Sequence, residues 1–309
     1  MLIRDEEKTK DLDTLRQNLV KAVENLVEDR RKNKSKSKSK VIRAEIISVI
    51  PSWKNYTSSD ESKRIKRPPA RWEIMNLAEL FQCNTHERNT LLVAAGYKPE
   101  EQFIEDKVRL RRLIEPYYRV MEKTQYPCYI VNKDWRLLAM SSTALKFFGL
   151  TKTYLLNFPP EYLNIISLLT MKESPIRDMI KAQGDEYWWR VIYRNIMGFK
   201  AENELCLYDQ WYIKIIEKFR ESKEFIRIYD EGYVPKLEPG ENTEDWMEYL
   251  TRFNREGVVL TTRSVIAKVG DLAHPQLIYY VPADKATEIW FADNLGISLP
   301  TPPEITELL

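Results

Sequence analysis

A concentration of basic residues is the first feature of this 309-residue sequence with recognisable chemistry. Between Arg30 and Arg71 there are fourteen Lys and Arg residues against three acidic residues, a net charge of +11. Because the whole chain carries +2, the remainder carries −9. Such segregated charge is typical of proteins that bind nucleic-acid phosphates, although a lone charge run is also typical of a solvated loop. Here the basic charge is not confined to one run. It continues further along the chain at four residues that favour binding to double-stranded DNA: Lys63, Arg64, Lys66 and Arg67.

Residues suited to catalysis or metal binding are sparse and poorly spaced. The cysteines Cys83, Cys128 and Cys206 are far apart, and the fragment His86-Glu87 lacks the second histidine of a zinc-binding helix. The nine glycines never lie as close together as phosphate-binding loops and nucleophile elbows require. No arrangement of Ser, His and Asp matches a hydrolase motif. The sequence therefore predicts no enzyme activity, no metal site and no cofactor.

The hydropathy pattern bears on localisation. The longest uncharged run, Leu272 to Ala283, is shorter than the roughly 18 residues that a membrane-spanning helix needs. The first residues form no apolar signal segment. Three unpaired cysteines suit a reducing compartment. We therefore expect no membrane span and a cytoplasmic location.

The first hundred residues have the apolar periodicity of helices. In the first helix the apolar residues recur at three- and four-residue steps: Leu12, Leu15, Leu19, Val23 and Leu26. A second helix is predicted to end near Pro51, and a short third segment to run from Ser52 to Ser59. A fourth helix begins near Ala70, and a fifth follows Asn84, which has capping-box spacing to Glu87. The pattern predicts about five helices and no strand.

Two consecutive segments carry a family resemblance. Arg67-Pro68-Pro69-Ala70-Arg71-Trp72 begins the first, which ends at Phe81, and the second runs from Asn84 to Tyr97. Together they resemble the closing two helices of XRE-type (Cro/repressor-like) helix-turn-helix regulators. In that family the preceding helix pair lies on DNA, and its second helix enters the major groove. The resemblance implies a reading helix at roughly residues 52 to 59, with Ser52 at its start and Lys54 and Asn55 on its outer side.

The second half of the chain has the pattern of strands and helices. Strands are predicted at 128–131, 135–140, 247–253, 258–269 and 276–281, with turns at 132–134, 254–257 and around Gly270-Asp271. Ser141 or Ser142 caps a helix that stops at Gly149, and Val108 to Glu122 is a charged helix between the two halves. Two strands, then helices, then three strands is the order of a PAS-like sheet with a helical flank.

This half also resembles a known family. The matching stretches are Tyr126 to Gly149, Trp211 with Ser222 to Tyr229, and Leu277 to Asp284. They resemble the MmyB-like or MltR-type ligand-binding domain, which often follows an XRE headpiece. The resemblance implies a pocket for an acyl-type or other hydrophobic effector.

The middle of the second half, Glu186 to Tyr233, is helical in pattern and dense in aromatic residues. Two interpretations stay open: these rings pack a core, or they leave an apolar pocket between the helices and the sheet. For the pocket we predict five lining residues, chosen as large apolar groups on elements expected to face one another: Leu138, Phe147, Trp188, Trp211 and Phe225.

The sequence thus predicts a multidomain α and α+β protein. Residues 1–100 form an all-α helix-turn-helix DNA-binding domain, 101–124 a linker helix, and 125–309 a PAS-like antiparallel sheet flanked by helices, for ligand binding and dimerisation.

The leading functional hypothesis is a sequence-specific DNA-binding transcription regulator that senses a small hydrophobic effector, with a fatty acid as one candidate. We expect a homodimer, because such folds read two half-sites, with contacts at the aromatic helices and the sheet edge near Tyr279-Tyr280. The alternative is a protein-interaction module whose helix-turn-helix does not read DNA.

Overall fold

The computed structural model of the protein describes residues 2–32, 39–64, 67–236, 250–268 and 272–297. The chain divides into two compact units. The first comprises Met1–Gln102 together with Leu205–Ile213, and the second comprises Phe103–Glu204 together with Lys214–Leu309. Helices combine with one five-stranded antiparallel sheet, which confirms the predicted mixed, multidomain α+β class.

The first unit is helical throughout its described residues, apart from connecting loops. Its α-helices are α1 (Leu2–Lys32), α2 (Ser39–Val49), α3 (Trp53–Tyr56), α4 (Arg71–Leu80) and α5 (Thr85–Ala94), with a short 3-10 helix at Glu61–Lys63. The structure thus has the five predicted helices.

The core of the first unit is built from the apolar faces of these helices. In α1, Leu19, Val23 and Leu26 are buried, as the three- and four-residue spacing predicts. The capping box predicted at the start of α5 is present. The Asn84 side chain accepts a hydrogen bond from the Glu87 N–H at 2.9 Å, and the Glu87 carboxylate accepts one from the Asn84 N–H at 3.0 Å.

The remaining helices and strands follow in chain order. They are α6 (Lys107–Lys123), β1 (Cys128–Val131), β2 (Leu137–Met140), α7 (Ser142–Phe148), α8 (Lys152–Asn157), α9 (Ile165–Thr170), α10 (Pro175–Lys181), α11 (Asp185–Glu202), α12 (Gln210–Phe219), α13 (Lys223–Tyr229), β3 (Leu250–Arg255), β4 (Val258–Lys268), β5 (Gln276–Pro282) and α14 (Lys285–Leu295). The five predicted strands are therefore present in their predicted order. Residues 247–249 of the predicted third strand and 269–271, with the Gly270-Asp271 turn, lie outside the described residues.

Local sequence signals set the ends of α7. The Ser141 hydroxyl accepts a hydrogen bond from the Ala144 N–H at 3.1 Å, which caps the first turn. Gly149 follows the last turn with φ +64°, a left-handed conformation that glycine adopts without a steric penalty. The stop at Gly149 was predicted from the sequence, and Ser141 was one of the two predicted caps.

The order of strands in the sheet is β2-β1-β5-β4-β3, with antiparallel pairing throughout. The strand β5 is therefore central, between β1 and β4. The expectation that Tyr279-Tyr280 lies near a sheet edge is wrong, because the outer described strands are β2 and β3.

Alternating residues of the central strands face two different environments. Cys128, Ile130 and Leu277 pack against the apolar side of α6, and the Tyr117 ring of that helix is buried among them. Residues 101–124 were predicted as a linker helix, but α6 covers one face of the sheet and is thus part of the second unit's core. The opposite face of the sheet packs against helices that lie between β2 and β3 and against α14.

Candidate functional site

The residues predicted to read DNA lie on and after α3. Lys54 and Asn55 are exposed, whereas Trp53 and Tyr56 are buried and their rings stack at 5.6 Å. Ser52 is half-buried and precedes the helix. One side of this turn therefore anchors it to the core and the other presents a cation and an amide.

The helix itself differs from the prediction. A reading helix at residues 52 to 59 was expected, but α3 comprises four residues, about 6 Å at 1.5 Å per residue. Small polar side chains end α3 because they hydrogen-bond to nearby backbone groups. The Thr57 hydroxyl donates to the Trp53 carbonyl at 2.9 Å, and the Ser58 hydroxyl accepts from the Asp60 N–H.

The basic residues after α3 have different partners. Lys63 pairs with Asp60 at 3.2 Å, and Arg64 donates to the Ser58 carbonyl at 3.1 Å. Arg67 is exposed, and Lys66 lies outside the described residues.

Two further members of the basic stretch are occupied in ion pairs with acidic residues outside it. Arg30 donates to both carboxylate oxygens of Glu87, and Arg71 pairs with Glu100. The charge available to a phosphate is therefore smaller than the net +11 of the stretch from Arg30 to Arg71.

The second unit contains a cavity between the sheet and helices α9, α10 and α11. Its volume is about 140 Å³. The sheet supplies Tyr129, Val131, Met140, Thr251, Phe253, Ser264, Ile266, Gln276, Ile278 and Tyr280. Helices and turns supply Trp135, Phe148, Ile165, Leu168, Leu169, Ile176, Ile180, Val191, Arg194, Asn195, Gly198 and Glu202. Most of this wall is apolar, and two groups of polar side chains lie on it, one around Arg194 and one around Glu202.

One polar end contains Arg194. Its guanidinium donates to the Leu250 carbonyl and to the Thr251 hydroxyl, both at 2.7 Å, so two hydrogen bonds to β3 fix its position. The hydroxyls of Tyr129 and Tyr280 are 3.3 Å apart. Burial raises the pKa of both tyrosines, well above the usual range for Tyr129, while the charge of Arg194 acts in the opposite direction.

The other polar end contains Glu202 at the end of α11. Its carboxylate accepts a hydrogen bond from the Trp135 indole N–H at 2.8 Å and lies 3.5 Å from His274 Nε2. Burial favours a higher pKa for Glu202, but the hydrogen bonds from His274 and Trp135 outweigh it, and the pKa is lowered. Trp135 has φ +56°, a strained conformation for an aromatic residue, and this strain lies in the cavity wall.

None of the five predicted lining residues is part of the cavity wall. Phe147 is buried against Phe253 and Phe291. Trp188 lies behind the wall and donates to the Leu169 carbonyl at 3.1 Å.

The other three occupy separate places. Leu138 packs with the α6 side of the sheet, because the register shift at Ile130/Val131 interrupts the alternation of faces. Trp211 belongs to the first unit and donates to Asp209. Phe225 is fully buried against Phe219. For the buried rings Phe147, Trp188 and Phe225, the core-packing interpretation describes the structure.

Five of the wall residues that the sequence interpretation missed share a helical stripe. Val191, Arg194, Asn195, Gly198 and Glu202 recur at three- and four-residue steps along α11 and all line the cavity. Polar residues and a glycine at helical spacing, in a helix rich in aromatic residues, are a signal in the sequence that this side of the helix lines a cavity.

Comparisons with known proteins give no family. No protein-family model matches the chain, and no curated protein is significantly similar to it. Across the part of the chain that the structure describes, no helix has both the length and the apolar character to cross a membrane. Within the same residues, no three His, Cys, Asp or Glu side chains are grouped to hold a metal ion. The cavity is thus the structural feature that bears most directly on function.

Proposed function

We propose that this chain is a DNA-binding transcription regulator whose second unit senses a small apolar effector. The observation that carries the proposal is the largely apolar cavity in the second unit, combined with a basic stretch in the helical first unit. Concave sites with apolar walls and a few converging polar groups are the usual form of small-molecule binding sites. Basic charge concentrated on one helical module is the usual electrostatic feature of a DNA-binding protein.

The arrangement of helices and strands supports the same proposal. Six helices, five of them in the first unit, precede a sheet formed by two strands, then helices, then three strands. This is the order implied by the resemblance to XRE-type regulators with an MmyB-like, PAS-like sensor domain. The exposed positions of Lys54, Asn55 and Arg67 are suited to contacts with phosphates and base edges.

A second candidate function is a protein-interaction module that does not read DNA. The one-turn length of α3 favours it, since about 6 Å of helix is short for a major groove about 12 Å wide. The two functions differ in salt dependence, because phosphate binding releases counterions and partner docking does not.

The deciding experiment is a fluorescence anisotropy titration of labelled duplex DNA with the full chain at several salt concentrations. Five to eight phosphate contacts give a slope of log affinity against log salt of roughly −5 to −7. Absence of duplex binding at low salt would reject the DNA-binding function and leave the interaction module.

A double variant locates the DNA-binding surface. Replacing Lys54 and Arg67 with alanine removes two candidate phosphate contacts and should reduce the magnitude of the slope by about 2. The matched control replaces Lys152 and Lys223, two exposed lysines of the second unit, and should leave the slope unchanged.

A further inference from the structure

The space inside the cavity has room for about one ring. At about 140 Å³ it is close in size to an engineered protein cavity of about 150 Å³ that admits benzene. A long acyl chain needs more room than this. The effector is therefore expected to be compact.

The walls suit a flat ring. The rings of Phe148, Phe253 and Tyr280 meet at steep angles, with centroids between 5.3 and 5.8 Å apart. Aromatic groups attract one another in this edge-to-face geometry beyond the effect of area burial. A ligand ring placed among these three rings would make edge-to-face contacts of the same kind.

One end of the cavity can donate a hydrogen bond. The Tyr280 hydroxyl is 3.3 Å from that of Tyr129 and is also hydrogen-bonded to Ser264, its cross-strand partner. Three hydroxyls joined by two hydrogen bonds use two of their three protons, so one O–H remains for a ligand. Arg194 lines the same cavity, and its charge acts on both tyrosine hydroxyls.

We propose that the cavity binds a small carboxylic acid with one aromatic ring, its carboxylate beside Arg194 and the tyrosine hydroxyls and its ring against Phe148 and Phe253. The inference rests on the proposed function, since it names the chemical class of the effector in the same site. A carboxylate accepts hydrogen bonds from hydroxyls and is attracted by a guanidinium. In an apolar cavity both interactions are stronger than in water.

The opposite end of the cavity does not favour a cationic ligand. The Glu202 carboxylate already accepts the Trp135 N–H at 2.8 Å and lies 3.5 Å from His274 Nε2. Both contacts are to the Oε2 atom and reduce the negative charge that an amine would meet there, whereas the hydroxyl end retains a donor.

The test is isothermal titration calorimetry of the full chain with four probes at neutral pH. The probes are benzoate, benzamide, benzylamine and decanoate. We expect benzoate to bind at least about tenfold more tightly than neutral benzamide, since a hydrogen bond to a charged acceptor is stronger than one to a neutral acceptor. Benzylamine and decanoate should bind more weakly than benzoate.

Paired variants locate the carboxylate. Tyr280→Phe keeps the ring and removes the hydroxyl, so benzoate affinity should fall about tenfold. Tyr279→Phe is the matched control, because Tyr279 packs on the opposite face of the sheet with the α6 cluster. Its benzoate affinity should equal that of the unmodified chain. If Tyr280→Phe fails to fold, Tyr129→Phe serves as a second variant, with a smaller loss expected.

The outcomes separate this inference from the proposed function. Tighter binding of benzylamine or benzamide than of benzoate would overturn the carboxylate, and tighter binding of decanoate would overturn the compact aromatic ring. Either result would leave a ligand-sensing cavity. Equal benzoate affinity in the Tyr280→Phe and Tyr279→Phe variants would also overturn it. No binding of any probe rejects the inference, whereas the DNA-binding role is judged separately by the salt titration.

Discussion

The Glu87 carboxylate connects the start of α5 to α1. It completes the capping box of α5 with Asn84 and accepts two hydrogen bonds from Arg30 of α1, at 3.0 and 2.8 Å. Burial favours a higher pKa for Glu87, but the hydrogen bonds from Arg30 and Asn84 outweigh it, and the pKa is lowered. A paired carboxylate of this kind makes the stability of the helices depend on pH.

The pH dependence has a definite sign. Because the pKa of Glu87 is lower in the folded protein, its contribution to stability is fully present above the unfolded pKa of about 4.3 and is lost as pH falls through the folded pKa. The Glu87→Gln variant should be about 1–2 kcal/mol less stable at pH 7. This difference should shrink as the pH falls below about 4.

The measurement is thermal unfolding of both proteins by circular dichroism between pH 3 and pH 7. Glu79→Gln, an exposed position on α4, is the control and should behave like the unmodified chain. A Glu87→Gln variant that keeps the same deficit at every pH would contradict the role of the ion pair.

The start of α5 depends on a segment distant in the chain. The buried carboxylate of Asp209 accepts hydrogen bonds from the backbone N–H and the hydroxyl of Thr85, both at 2.5 Å. Arg88 donates to the Leu205 carbonyl and to the Thr85 hydroxyl. The nine residues Leu205–Ile213 are thus built into the helical core of the first unit. A carboxylate at this position satisfies an N–H that the helix itself leaves unpaired.

Removing this carboxylate tests its structural role. Asp209→Ala leaves the Thr85 N–H buried without its acceptor and should destabilise the first unit by about 1–3 kcal/mol. Hydrogen–deuterium exchange of the full chain should then be faster in the first turn of α5. Asp293→Ala, at an exposed position of α14, is the control. Unchanged exchange in α5 after the Asp209 substitution would show that the capping contact contributes little.

The distribution of charge concerns the molecule as a whole. The basic stretch carries +11 and the rest of the chain −9. Two copies joined through their basic stretches would repel each other, which favours association through the second unit. The central position of β5 removes Tyr279-Tyr280 from the candidate contact edges.

We expect the full chain to be a homodimer. Light scattering after size exclusion at tens of micromolar should give roughly twice the chain mass of 36.7 kDa. The mass should not fall when the Lys54 and Arg67 double variant is measured, because those residues belong to the first unit. A mass of one chain at this concentration would reject the dimer.

The sequence by itself determined the elements that rest on short-range interactions. The capping box at Asn84 and Glu87, the Ser141 cap and the stop at Gly149 each involve residues within a few positions of one another. The order of the five strands followed from alternation and turn residues. Such signals are readable because neighbouring residues in the chain are also neighbours in space.

Only the tertiary structure decided which residues meet across the chain. Phe147 and Phe148 are adjacent, yet about 100° of helical rotation separates them, so Phe148 lines the cavity and Phe147 packs behind it. The register shift at Ile130/Val131 places Leu138 on the α6 side of the sheet. The Asp209 carboxylate accepts a hydrogen bond from Thr85, which is 124 positions away in the chain. Each outcome depends on the packing of several elements against one another, which no local pattern specifies.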